Sequence, residues 1–203
     1  MVTEEEKLPT IQRFSEERKA TLIFSSNQNN IMNKVTGPTT PNYRGVCLGL
    51  VMIWFENALK TEDPLKGKVA IGAINLQAQL GLLTWNDIEG FMVKRDKFLA
   101  KWKFWTKLQN KYTIDKECSY KLTICSQFTR DRESIYLIVL YPKKGGGAHA
   151  IGVWRSKDEK YTIYDPNYGA CEMLGDSIVN YMRDLINTYY SEMGTYLLCS
   201  WVD

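Results

Sequence analysis

One histidine, His149, occurs among the 203 residues of this chain, together with five cysteines, Cys47, Cys118, Cys125, Cys171 and Cys199. Any chemistry that pairs a thiol with an imidazole base must use His149, so the open choice is the cysteine. A nucleophilic thiol needs a site that favours its thiolate. A helix N-terminus supplies one through unpaired N–H groups and the positive end of the helix dipole, and an imidazolium neighbour adds to it. Cys47 alone stands at a predicted helix start. Cys118 and Cys125 flank a predicted strand, Cys199 lies within one and Cys171 follows a turn, so a buried structural thiol is the better reading for those four. Taken singly, a cysteine opening an apolar helix is more often core than nucleophile, and a lone histidine in AHAIGVW is more often a satisfied core group than a base.

A general base must be oriented by an acceptor on its other ring nitrogen, and Asp165 is the candidate. HAIGVW and KYTIYD read as two arms of a hairpin around RSKDE. If Trp154 faces Lys160, then His149 faces Asp165 directly, with Cβ atoms about 5 Å apart on one face of the sheet. A loop one residue longer or shorter would put the two on opposite faces. A turn-forming role for Asp165 before Pro166 is an equally good reading. For a developing oxyanion, the backbone N–H of Cys47 is one natural donor. Asn42 could be another, although an Asn after proline in an Asn-rich stretch reads first as loop. Gly145 to Gly147, just before His149, read as a hairpin tip that could also let a substrate backbone approach.

The elements that must position these groups form an α+β pattern. Residues 1–42 end in SSNQNNIMNKVTGPTTPN and read as a flexible N-terminal leader, with a short helix around Ile11 to Lys19; residues 43–203 read as the packed domain. CLGLVMIWFENALK is continuously apolar and then turns polar, as a mostly buried helix does. Val69 to Leu83 looks helical, and Thr84 with Asp87 resembles a capping pattern for a long helix through Tyr112. In the second half YKLTI, SIYLIVLY, HAIGVW, KYTIYD and TYLLCSW are short runs of β-branched and aromatic residues that read as antiparallel strands. Asp176 can cap a last helix, Ser177 to Tyr190, whose Ile178, Tyr181, Met182, Leu185 and Ile186 fall at helical spacing.

Composition bounds the function classes. Hydrophobic residues at 44% and charged residues at 24% are those of an ordinary packed domain. The net charge of +3 is too small to point to nucleic acid. It is unevenly spread: residues 91–112 hold seven basic residues against Asp96, which leaves the remainder acidic. Phe91, Phe98, Trp102 and Trp105 recur there at helical spacing. A core-facing stripe with a solvated basic face is the favoured reading, and contact with an anionic membrane surface or an acidic partner is the alternative. An odd set of cysteines without framework spacing suits reduced thiols in a reducing compartment. MVTEEEKLPT lacks the basic start and apolar stretch of a signal peptide, so any export is expected by another route. With one histidine, no close cysteine pairs, no P-loop and no G-x-G-x-x-G, no metal and no cofactor are expected.

PNYRGVCLGLVMIWF followed by GGGAHAIGVWRSKDEKYTIYDPNYG resembles the YopT and AvrPphB family of papain-like cysteine proteases, bacterial effectors. The matching motifs are Gly45-Val46-Cys47, His149-Ala150-Ile151 and Asp165-Pro166-Asn167-Tyr168-Gly169, in the family's order and spacing. The resemblance runs from about residue 40 to 175, with nothing matched between Leu59 and Tyr136. It implies a papain-like α+β fold with Cys47 at a helix N-terminus packed on a sheet carrying His149 and Asp165, and peptide-bond hydrolysis by that triad. It also places the oxyanion-hole Asn on Asn42. By the same resemblance the chain is expected to be a monomeric virulence effector, exported by a specialised bacterial route and cleaving a protein in the target-cell cytoplasm. A glutamine deamidase or transglutaminase using the same three groups is the nearest alternative. A non-catalytic interaction module using the basic aromatic segment is the other. YopT itself cuts beside a basic tail, and the basic segment 91–112 argues against that particular substrate.

Overall fold

The computed structural model describes residues 4–28, 46–58, 72, 73, 75, 109–115, 134–144, 147–156 and 158–202. Among these, three helices, α1 (Glu4–Glu16), α2 (Cys47–Ala58) and α3 (Gly175–Tyr189), accompany seven strands: β1 (Thr21–Ser25), β2 (Gln109–Asp115), β3 (Ser134–Pro142), β4 (His149–Arg155), β5 (Lys160–Asp165), β6 (Gly169–Leu174) and β7 (Met193–Val202). The strands form one antiparallel sheet in the order β1-β6-β5-β4-β3-β7-β2. The α+β class read from the sequence is the class observed.

Alternation along the strands divides the sheet into two buried faces. Tyr136, Ile138 and Leu140 of β3, Ile151 and Val153 of β4, Tyr161 and Ile163 of β5, and Tyr196 and Leu198 of β7 share a core with α1 and α3. From α3 come Ile178, Tyr181, Met182, Leu185 and Ile186, the five positions expected from helical spacing, and all are buried. Helix α2 covers the opposite face, where Trp54 lies 5.4 Å from the Tyr164 ring. Gly152 lets α2 approach β4: a Cβ there would meet Trp54 ring carbons at 2.9 Å and Val51 at 3.0 Å. Ser134 to Tyr141 of β3 are buried on both faces, in keeping with its unbroken apolar run.

Three expectations are corrected. Residues 1–42 are not a flexible leader over their described part. Ile11, Phe14 and Ala20 belong to the core, and β1 pairs with β6 along the sheet edge. A Schellman-type stop turns the chain from α1 into β1: Lys19 is left-handed (φ 57), its N–H reaches the Glu16 carbonyl and the Ala20 N–H reaches that of Ser15. The apolar signal in this stretch was sparse because only the inward residues of α1 and one edge strand contribute. The long helix expected through Tyr112 gives way at Gln109–Tyr112 to β2, which pairs with β7 so that Lys111 and Tyr112 face Ser200 and Cys199; pairing supplied by the partner strand outweighs local helical spacing here. Residues 84–108, and with them nearly all of the basic segment 91–112, lie outside the described residues, as does YKLTI; of Val69–Leu83, residues 72, 73 and 75 are helical. Finally, the last helix begins at Gly175 with Leu174 as its N-cap, and no side chain caps it. Asp176 sits in its first turn, where a carboxylate is favoured by the dipole.

Candidate active site

Cys47 is the first residue of α2, and the Val46 carbonyl accepts the first intrahelical hydrogen bond, from Leu50 N–H at 2.9 Å. The thiol therefore stands at the positive end of a buried helix. His149 opens β4 and Asp165 closes β5, so both lie at the end of the sheet from which α2 starts. The thiol lies 3.8 Å from the Ala148 carbonyl oxygen, next to His149, and Cys47 is among the groups that act on the His149 ring electrostatically.

The hairpin between β4 and β5 has a different register from the one expected. Trp154 faces Thr162 rather than Lys160, Val153 faces Ile163 and Gly152 faces Tyr164. The loop is tighter than supposed. Ser156 N–H bonds the Lys160 carbonyl at 2.9 Å, and Glu159 adopts a left-handed conformation (φ 60) that closes the turn. Because the difference is two residues, the faces are unchanged. His149 and Asp165 stand diagonally instead of directly opposite, a separation that long side chains span. Their side chains meet with His149 Nε2 3.0 Å from Asp165 Oδ1.

The carboxylate that meets His149 also forms the turn. Oδ1 accepts the Asn167 backbone N–H at 2.8 Å, an Asx-turn, while the Tyr168 N–H returns to the Asp165 carbonyl at 3.0 Å. Pro166 sets φ at the turn. Gly169 ends it at φ 121, and a Cβ there would lie 2.0 Å from the Phe24 carbonyl oxygen. Only glycine lets β1 close over this turn.

Three residues that the sequence reading left without a role complete the arrangement. Tyr190, the C-cap of α3, donates its hydroxyl to Asp165 Oδ2 at 2.7 Å, lies 2.9 Å from His149 Nε2 and stacks on the imidazole with centroids 4.7 Å apart. Asn167 donates its side-chain amide to the Tyr190 hydroxyl at 3.1 Å. Gln28 donates to Asn167 Oδ1 at 2.7 Å and accepts the Val46 N–H at 3.2 Å. Next to it, Ser26 Oγ and the Gln28 N–H both bond the Pro166 carbonyl. A continuous line of hydrogen bonds thus runs from the residue before Cys47, through the segment after β1, to the carboxylate. Tyr190 read as the tail of an amphipathic helix and Gln28 as leader, and no local pattern marks either. Asn167 was visible as part of Asp-Pro-Asn, without a function.

The electrostatics follow from burial and pairing. Burial disfavours a charged imidazole, but the charge and hydrogen bond of Asp165, with the hydrogen bond and charge of Cys47, outweigh it and push His149 from 6.5 up to about 10. With Nε2 occupied by Asp165 and Tyr190, Nδ1 is the ring nitrogen left for the thiol. Burial, then the Asp165 charge, raises Tyr190 well above 10, so its phenol is a permanent donor. Cys171 is buried on β6 against Ser15 Oγ and Tyr181 OH, each at 3.2 Å, and burial pushes its thiol up. That is the structural thiol expected. Cys199 lies within β7. Asn42, Gly145, Gly146, Cys118 and Cys125 lie outside the described residues. Among the described residues no group of three or more His, Cys, Asp or Glu is placed to hold a metal ion.

A helix-borne cysteine thus stands at the same end of an α+β fold as a strand-borne imidazole and carboxylate. The fold is shared with the Pseudomonas avirulence protein AvrPphB, at a TM-score of 0.54 and 14% identity over 80% of this chain and 94% of that one. A further solved structure is PatoxP, a cysteine protease-like domain of the Photorhabdus asymbiotica toxin PaTox, with a TM-score of 0.45 and 16% identity over 94% of this chain and 58% of that one. No protein-family model and no curated protein sequence matches the chain. The likeness to AvrPphB is one of fold, and it is the fold that the sequence resemblance implied.

Proposed function

We propose that this protein is a cysteine protease using Cys47 as nucleophile, His149 as acid and base, and Asp165 to hold the imidazole. The observation that supports it is that the one histidine of the chain is gripped by Asp165 at 3.0 Å while a cysteine at a helix N-terminus lies 3.8 Å from the carbonyl oxygen of Ala148, the residue before it. Cys47 gives its proton to His149, and the thiolate attacks the scissile carbonyl. Charge developing on the carbonyl oxygen is met by the backbone N–H of Cys47 and, by the family resemblance, by Asn42. The imidazolium then protonates the leaving amine, and the C–N bond breaks to leave a thioester. Water, deprotonated by His149, hydrolyses the thioester and returns the thiol. No cofactor enters this sequence of steps.

In this reading the chain acts as a monomeric virulence effector, exported by a specialised bacterial route, and cleaves a protein in the cytoplasm of the target cell. Contact of residues 91–112 with an anionic membrane surface is the alternative to a core-facing stripe there. The test is N-terminal peptide profiling of target-cell lysate treated with the protein or with Cys47→Ala. New peptide termini only with the unsubstituted protein support the reading and name the substrate. Intact-mass analysis of that substrate then separates two fragments from one chain carrying a new side-chain carboxylate, the product of a glutamine deamidase. If Cys47 alkylates no faster than a free cysteine and Cys47→Ala keeps the biological effect, the catalytic reading fails.

A further inference from the structure

Asp165 is held by more donors than orientation of one imidazole requires. Asn167 N–H and His149 Nε2 share Oδ1, at 2.8 and 3.0 Å, and the Tyr190 hydroxyl takes Oδ2 at 2.7 Å. The Tyr190 oxygen occupies a junction. Its own proton goes to the carboxylate, and it receives the side-chain amide of Asn167 at 3.1 Å and lies 2.9 Å from His149 Nε2, whose N–H it shares with Asp165. Tyr190, His149 and Asp165 are all buried, so water does not compete for these bonds. The Tyr190 ring also lies nearly parallel to the imidazole, at 18°, and blocks its rotation out of line with the carboxylate.

We propose that Tyr190 is a positioning residue of this site, whose hydroxyl stabilises the charged imidazolium–carboxylate pair by donating to Asp165 while accepting from His149. Both bonds serve the charged form: the donated proton stabilises the carboxylate and the accepted one stabilises the imidazolium. A neutral histidine beside a neutral acid would use neither as well. Because the thiolate of Cys47 is stabilised by that imidazolium, Tyr190 acts on the nucleophile through His149 without touching substrate. Asn167 supports the phenol from the far side, and Gln28 ties Asn167 to the amide preceding Cys47, so the clamp spans both halves of the site. Among the described residues, the other titratable groups that act on the pair are Cys47 of α2, Tyr168 of the Asp165 turn, Cys171 of β6 and Tyr181 of α3.

The inference rests on the triad reading above, and its test needs no substrate. Since the chain has one histidine, its ring resonances give a titration curve without ambiguity of assignment. Tyr190→Phe keeps the stacked ring and deletes the hydroxyl. Hydrogen bonds to charged groups of this kind predict a downward move of the His149 midpoint by about 1–2 pH units. The rate of Cys47 alkylation by iodoacetamide near neutral pH should fall about tenfold with it, while far-ultraviolet dichroism stays unchanged. Superimposable titration and alkylation curves for the two proteins would overturn the proposal, since a residue that merely fills space would move neither. Should Tyr190→Phe fail to fold, Asn167→Leu decides on the same titration: it removes the amide that supports the phenol, and an unmoved midpoint would overturn the clamp. If proteolysis itself is the wrong reaction, lysate profiles with and without Cys47 will agree while the His149 midpoint still responds to Tyr190.

Discussion

Replacing Asp165 by asparagine tests whether the buried histidine is charged because of its carboxylate. Burial alone drives His149 toward the neutral ring, and the two leading opposing influences both come from Asp165, its charge and its hydrogen bond. The rise from 6.5 to about 10 corresponds to roughly 5 kcal/mol at about 1.4 kcal/mol per pH unit. The amide of Asp165→Asn is nearly isosteric with the carboxylate and can still accept from Nε2, so the variant removes charge while keeping shape. Burial should then dominate, and the His149 midpoint should fall from about 10 to below 6.5. The assay is a ring-resonance titration of the one histidine in both proteins. Stability should follow the same sign. The folded-state value lies above the unfolded one, so the contribution of this group is complete below about pH 6.5 and is lost as pH rises toward about 10. Chemical denaturation across that window should show His149-linked stability declining in the unsubstituted protein, and the decline should vanish in Asp165→Asn. A native midpoint near the ordinary value, insensitive to the substitution, would refute the reasoning.

Gly169→Ala forces a Cβ to 2.0 Å from the Phe24 carbonyl at a backbone φ of 121, and should cost about 2–4 kcal/mol in urea unfolding as β1 is pushed off the Asp165 turn. Removing residues 1–28 takes Ile11 and Phe14 from the core; at about 3–5 kcal/mol for each large buried side chain the loss approaches the whole stability of an ordinary domain. The truncated chain should therefore show no cooperative melting by calorimetry, whereas a dispensable leader would leave the transition intact. Gly152→Val overpacks the contact with Trp54, whose ring would stand only 2.9 Å from the new Cβ, and should cost about 1–3 kcal/mol; iodoacetamide labelling of Cys47 should slow as α2 is displaced from β4.

Much of the site could be read from residue order because its parts obey local rules. A single histidine leaves one base, an apolar run after Gly45 marks the helix that Cys47 opens, and alternation in HAIGVW and KYTIYD puts His149 and Asp165 on one face. The expected register was off by two residues, yet the face survived because strand side chains repeat every second residue. Helical spacing likewise identified all five core positions of α3. The remainder depended on chain segments brought together from far apart. The Tyr190 contact to His149 spans 41 residues, and that of Gln28 to Asn167 spans 139. Neither leaves a mark in local composition or period, since a tyrosine after a helix and a glutamine in a polar stretch are ordinary wherever they point. The inclusion of α1 and β1 was hidden for the same reason: a sheet edge and one inward helical stripe need few apolar residues, and only pairing with β6 shows that they belong to the core. Residue types and periods alone thus determined which groups could do the chemistry and on which face they stand. Tertiary packing decided what holds them there, because hydrogen-bond partners in a buried site are set by proximity in space and not by order along the chain.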